Sequence, residues 1–255
     1  LSASTGIGQG ANGSVDVNAT SVNATSPDGG LAINLLNDGP VNGLVDNHAV
    51  TVTNASATIS GNVVLTGTSG TGTRTYTTVT ATSGDVQILV TSGNIALGAV
   101  SANGLAKVDT DLGSITGVGI NITAATIDLD ATTGITLGIS GSSISANNGG
   151  NAEISLANSR TTTVTVTSLT TDQGNITFAQ TGIGGHLEIS GTVDNDGTSG
   201  NDILITSAQN LTVKTNSSLN SQAGLGGVLT IGGTVIESVS YTHLRAHETK
   251  ANLVC

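Results

Sequence analysis

The chain has 255 residues, of which 36 are glycine, 9% are charged and 1% aromatic, and its formal net charge is −11. So few aromatics argue against an ordinary globular core of this size, which would use several Phe, Tyr and Trp side chains. The acidic balance argues against a phosphate-binding surface for nucleic acid, and no apolar run approaches the length of a membrane-spanning helix.

Residues 1–28 are rich in Gly, Ser, Asn and Thr, with one predicted strand at Val15-Asp16-Val17. Residues 31–36 form the first strong apolar run, followed by the turn Asn37-Asp38-Gly39 and by Pro40. Further strands are predicted at Val50-Thr51-Val52 and at Val63-Val64-Leu65, the second opened by Gly61-Asn62. Residues 67–72 read as a Ser, Thr and Gly insertion ahead of Tyr76.

From Gly84 one phrase recurs. A turn residue, usually Gly followed by Asn, Asp or Ser, precedes two aliphatic residues separated by a single polar or small one. Gly84-Asp85-Val86-Gln87-Ile88, Gly93-Asn94-Ile95-Ala96-Leu97, Gly113-Ser114-Ile115-Thr116 and Gly134-Ile135-Thr136-Leu137 all fit. So do Ala152-Glu153-Ile154-Ser155-Leu156 and Gly174-Asn175-Ile176-Thr177-Phe178, then the runs at Leu187, Ile203, Leu211 and Leu229. Alternation at period two puts the aliphatic pair on one face of a short strand and the spacer on the other. The stronger glycine starts, at 93, 113, 134, 150, 174, 200 and 227, lie 16 to 27 residues apart. That spacing suits one coil of a solenoid, with two or three short strands and their turns.

The fold class expected is therefore all-β: a parallel β-helix or β-solenoid in which each coil buries its apolar face against its neighbours. Antiparallel sandwich repeats are the alternative, but they need about seven strands per hundred residues and commonly a buried aromatic corner. Disorder is disfavoured by the regular aliphatic pairs. Ladders such as Ile115, Ile135 and Ile154 are expected to stack inside a rod of roughly ten coils, about 45–50 Å long.

Three segments are distinguished: an irregular solenoid start over 1–83, regular coils over 84–238, and a tail over 239–255. The tail abandons the phrase and holds two of the histidines and the lone Cys255. It resembles a translated sequencing-adapter artefact and is expected to be foreign to the fold. Ahead of it the only basic residues are Arg74, Lys107, Arg160 and Lys214, and no cysteine is available for a disulfide. With no initiator Met, signal peptide or cap in view, the expectation is a fragment of a longer repeat protein.

Few constellations suggest chemistry. Asp128 and Asp130 flank Leu129, so both carboxylates should point outward from one strand face. Paired acids can hydrolyse glycosides, but a solvated face backed by Ile127 and Leu129 is the simpler expectation, and Asp109 and Asp111 read the same way. The loop running from Asp194 through Asp196 to Asp202 is the best metal candidate, because alternating oxygen ligands around a Gly turn suit calcium. A plain turn explains it as well, since it lacks a third alternating acid and a bidentate Glu. His48 and His186 have no Cys or clustered acid to complete a zinc set. The pairs Thr51/Thr53, Thr75/Thr77 and Thr163/Thr165 are spaced too irregularly to predict one aligned ice-binding ladder. No catalytic residue and no cofactor is assigned.

The run from Gly93-Asn94-Ile95-Ala96-Leu97 through Ile122-Thr123-Ala124 and Ile127-Asp128-Leu129-Asp130 to Gly134-Ile135 resembles the repeats of filamentous-haemagglutinin-like proteins, large bacterial exoproteins and autotransporter-type adhesins. The likeness covers about residues 84–237. It implies a right-handed parallel β-helix, secreted or held at the bacterial cell surface, that serves as an adhesive fibre or stalk and is not an enzyme. The partners implied are host or environmental glycans and surfaces, or neighbouring fibres, with no nucleic acid and no membrane span. Two competing expectations remain: a polysaccharide-active β-helix enzyme, and a calcium-stabilised surface-layer or matrix repeat.

Overall fold

The structure, a computed structural model, describes residues 1–8, 13–36, 49–68, 70–195, 201–221 and 227–235. Every regular element among them is a strand. In chain order these begin with β1 (Val15–Val17), β2 (Ser21–Ser26), β3 (Leu31–Leu35), β4 (Val50–Ala57), β5 (Val63–Gly67) and β6 (Arg74–Ala81). Next come β7 (Val86–Val90), β8 (Ile95–Ala102), β9 (Leu105–Thr110), β10 (Ile115–Ala131), β11 (Ile135–Asn148) and β12 (Ile154–Asn158). The last are β13 (Val164–Thr171), β14 (Ile176–Gln180), β15 (Leu187–Asn195), β16 (Ile203–Val213), β17 (Ser218–Asn220) and β18 (Leu229–Val235).

All pairings between named strands are parallel, and each strand lies against strands one coil away. The result is a β-solenoid of about nine turns, about 43 Å along its axis at ~4.8 Å per rung. Each rung passes over three faces. The first carries the start of β4, β6, β8, β10 and β11, then β12, β14 and the starts of β16 and β18. The second follows a bend: in β6, Arg74 and Tyr76 point inward, then the inward phase slips by one residue to Val79 and Ala81. The third carries β3, β5, β7, β9 and the C-terminal parts of β10, β11, β13 and β15.

The predicted isoleucine stack is present. Ile95, Ile115, Ile135, Ile154, Ile176, Ile203 and Leu229 are successive partners along the first face. Branched aliphatics suit a pleated, half-buried surface, and with nearly every inward position apolar the interior is a continuous column. One ladder position differs. Arg74 pairs with Val50 on one side and Ile95 on the other, is fully buried, and donates from Nη1 to Ser92 O at 2.7 Å. Gly67 makes room for it, since a Cβ there would lie 2.5 Å from Arg74 Nε. Burial pushes the guanidinium pKa down and the neighbouring Tyr76 phenol up.

The recurring Gly-Asx turn has a structural cause. At the corner between the second and third faces, Asn62 Oδ1 accepts the Asp85 N–H at 2.9 Å, and Asp85 Oδ1 accepts the Leu105 N–H at 2.8 Å. Each turn side chain thus clips its coil to the next, satisfying a backbone donor the sheet leaves open. Glycine is needed beside the clip where the backbones crowd: Gly93 has φ +93°, and a Cβ on it would meet Gly72 O at 2.5 Å.

Two features depart from the sequence expectation. β2 (SVNATS) is a strand without an aliphatic pair, held by its register with β4. β10 and β11 are long continuous strands rather than separate short phrases, because small residues let them turn corners without breaking the ladder. Buried polar side chains also line the corners. Asn158 accepts from Gly141 N at 2.9 Å and donates to Gly141 O at 3.1 Å and Gln180 Oε1 at 2.8 Å.

Candidate functional site

The outer side of the third face gathers the acids. Two adjacent outward ladders run along it, one through Gln87, Lys107, Asp128 and Ser145, the other through Leu89, Asp109, Asp130 and Asn147. Asp128 and Asp130 point outward, as Ile127 and Leu129 fill the interior. Register brings Lys107 between them: its Nζ lies 2.9 Å from Asp128 Oδ2, 3.1 Å from Asp130 Oδ2 and 3.9 Å from Asp109 Oδ2. Ser145, one rung on, donates to Asp128 Oδ1 at 2.5 Å.

The electrostatics follow from this sharing. Partial burial works against the Lys107 charge, but the hydrogen bonds and charges of Asp128 and Asp130 outweigh it and hold the ammonium pKa above its usual value. Burial also raises Asp128, yet the Ser145 hydroxyl and Lys107 overcome that and leave its carboxyl below the ordinary range. Asp109 shifts upward, through burial first and the neighbouring Asp130 charge, with Lys107 opposing only in part.

Beside this cluster the third face ends in an open trough. One depression of about 330 Å³ is lined by Asp109, Asp111, Asp130, Ala131 and Asn147 among others. A second, of about 260 Å³, continues it past Asp109 and Asp111 to Leu89, Val90 and Thr66. The trough is therefore acidic at one end and apolar at the other. Nothing in the sequence spacing marks Lys107, Ser145 and Asn147 as neighbours of these acids except one hint: Lys107-Val108-Asp109 precedes Asp128-Leu129-Asp130 by one coil length.

The calcium loop lies only partly within the described residues. Asp196 falls outside them. Asp194 stands on the outward ladder of the third face, between Thr170 and Asn220. Asp202 belongs to a corner clip: its N–H is bound by Asn175 Oδ1 at 2.9 Å and its Oδ1 accepts the Val228 N–H at 2.8 Å. Among the described residues no group of three or more His, Cys, Asp or Glu side chains is arranged to hold a metal ion. His186 is exposed, while His48 and the tail over 239–255 lie outside the described residues.

The threonines align better than their spacing suggested. Ser21, Thr51 and Thr75 are successive outward partners on the first face, and after Ala96 the ladder resumes with Thr116, Thr136, Ser155 and Thr177. Corner loops of unequal length absorb the irregular spacing. The Thr163/Thr165 pair is elsewhere, with Thr165 between Ser143 and Glu188. The second Thr column stops early, because the position after Thr77 is Gly98, whose Cβ would meet Thr77 O at 2.4 Å.

Comparison of the chain with known protein families, with curated proteins and with solved structures yields no match.

Proposed function

We propose that this chain is a structural rod segment of a large bacterial secreted or cell-surface exoprotein, serving adhesion or surface display. The observation that carries this reading is the unbroken aliphatic column from rung to rung along the first face. A parallel stack in which each coil is hydrogen-bonded to both neighbours is suited to holding a binding surface away from a cell. The resemblance to filamentous-haemagglutinin-like repeats points the same way. Partners of the rod would be glycans, host or environmental surfaces, or neighbouring fibres.

An enzymatic role in polysaccharide cleavage would have to use the acids of the third face. General acid catalysis requires one carboxyl to keep its proton near neutrality. Asp128 instead sits low, with Asp130 beside it on the same ammonium. One lysine shared among three carboxylates suits a clasp between coils better than an acid–base pair.

The test uses beads coated with the chain against immobilised glycans and cell surfaces, alongside a panel of soluble polysaccharides. Retention above that of bare beads, with no reducing sugar or unsaturated product released, is the expected result. Product release that disappears in Asp128→Asn would move the chain into the enzyme class. Retention no greater than that of bare beads would remove adhesion from this segment.

A further inference from the structure

The corner between the first and second faces carries a rigid apolar projection. Val118 is 97% exposed and Ile120 57%. Single exposed aliphatics are ordinary, but this pair is held out by a built support. Asn121 is buried beneath it and donates from Nδ2 to Leu97 O at 2.9 Å, Gly98 O at 3.1 Å and Val118 O at 3.2 Å. Gly119 takes φ +83°, and its carbonyl packs over Gly138, where a Cβ would lie 1.8 Å away. Two rungs further along the same corner stands Arg160, whose Nε donates to Thr162 Oγ1 at 3.3 Å and which forms no ion pair among the described residues.

The trough on the third face presents the complement in the same order. Its apolar end is at Leu89 and Val90, and the acids Asp111 and Asp130 follow one to two rungs later in the same chain direction. The geometry points to lateral association of two copies of this chain, the Val118–Ile120 projection of one seated at the Leu89 end of its neighbour's trough and Arg160 facing Asp111 and Asp130. Because both features run in the same direction with a similar axial separation, the rods lie parallel, staggered by two rungs or about 10 Å. The contact is heterologous, so each copy keeps a free projection or a free trough, and association propagates into a bundle. The net charge of −11 opposes this at low salt. Near physiological ionic strength a screening length of about 8 Å removes most of that repulsion and spares a contact ion pair.

This inference rests on the rod reading, and its test separates the two. Sedimentation velocity and small-angle X-ray scattering on the whole chain, across concentration at physiological salt, report association and particle shape together. The expected result is concentration-dependent growth in cross-section that falls at least tenfold in association constant for Val118→Asp/Ile120→Asp and for Arg160→Glu. Combining Arg160→Glu with Asp111→Arg should restore it, and circular dichroism checks that each variant is folded. A Val118→Cys/Thr91→Cys variant, in a Cys255→Ser background, should form disulfide-linked oligomers under mild oxidation. Rods that stay monomeric at all concentrations overturn the association and leave the rod reading standing. Association unaffected by these substitutions, or no cross-link, overturns the assigned surfaces.

Discussion

Replacing Ile135 by Ala tests the claim that an in-register aliphatic column holds the solenoid together. Ile135 is fully buried between Ile115 and Ile154 in the first-face ladder. Its coil cannot easily settle into the vacated space, because the rung spacing is fixed by backbone bonds such as Ile115 N to Gly134 O and Ile135 N to Glu153 O, each 3.0 Å. Large-to-small changes of this kind cost about 2–5 kcal/mol, more where the site cannot collapse, so about 4 kcal/mol is expected here. With a denaturant slope of about 2 kcal/mol per molar urea, the unfolding midpoint falls by about 2 M. Thr136→Ala, one residue along but on the exposed side, should move stability by no more than about 0.5 kcal/mol. Urea titration followed by circular dichroism measures both. A midpoint shift below about 0.5 M for Ile135→Ala, or equal shifts for the two variants, would refute the in-register column.

Other expectations follow from the same geometry. Lys107→Met should lower stability at neutral pH. Asp128 has a depressed folded pKa, so the stability it lends is present above its unfolded value and disappears as pH falls through the folded one; the penalty of Lys107→Met should therefore shrink in acid thermal melts, and a pH-independent penalty would contradict the clasp. Gly67→Ala should cost about 1–3 kcal/mol by overpacking against the buried Arg74 side chain. Shortening Arg74 to Leu should make Gly67→Ala nearly neutral, which a double-mutant cycle would reveal. Asn158→Ala should cost about 1–3 kcal/mol in chemical denaturation by stranding the backbone groups of Gly141. Millimolar calcium should leave the melting temperature unchanged; a large rise abolished by Asp196→Ala would restore the calcium-stabilised alternative.

The candidate site was legible only in pieces. Outward placement of Asp128 and Asp130 follows from period-two alternation around Leu129, and the structure agrees. The lysine between them, the serine behind and the trough alongside come from neighbouring rungs, each about twenty residues away in sequence. The buried Arg74 was hidden for a related reason. Arg-Thr-Tyr at 74–76 shares the alternation of a strand, but only the opposed Gly67 on another face makes interior room for a guanidinium.

Strand identity and inward or outward side were determined by the sequence itself, since alternation and Gly-Asx turns act between residues a few positions apart. The β-solenoid class follows from these, because short strands with one aliphatic face must find neighbours to cover it. Axial neighbours were decided only by the tertiary structure. Each corner takes a different number of residues, as the 16- to 27-residue spacing of the glycine starts shows. Backbone hydrogen bonding then resets the register at every rung, so threonines irregular in sequence become a ladder and three acids come to share one lysine.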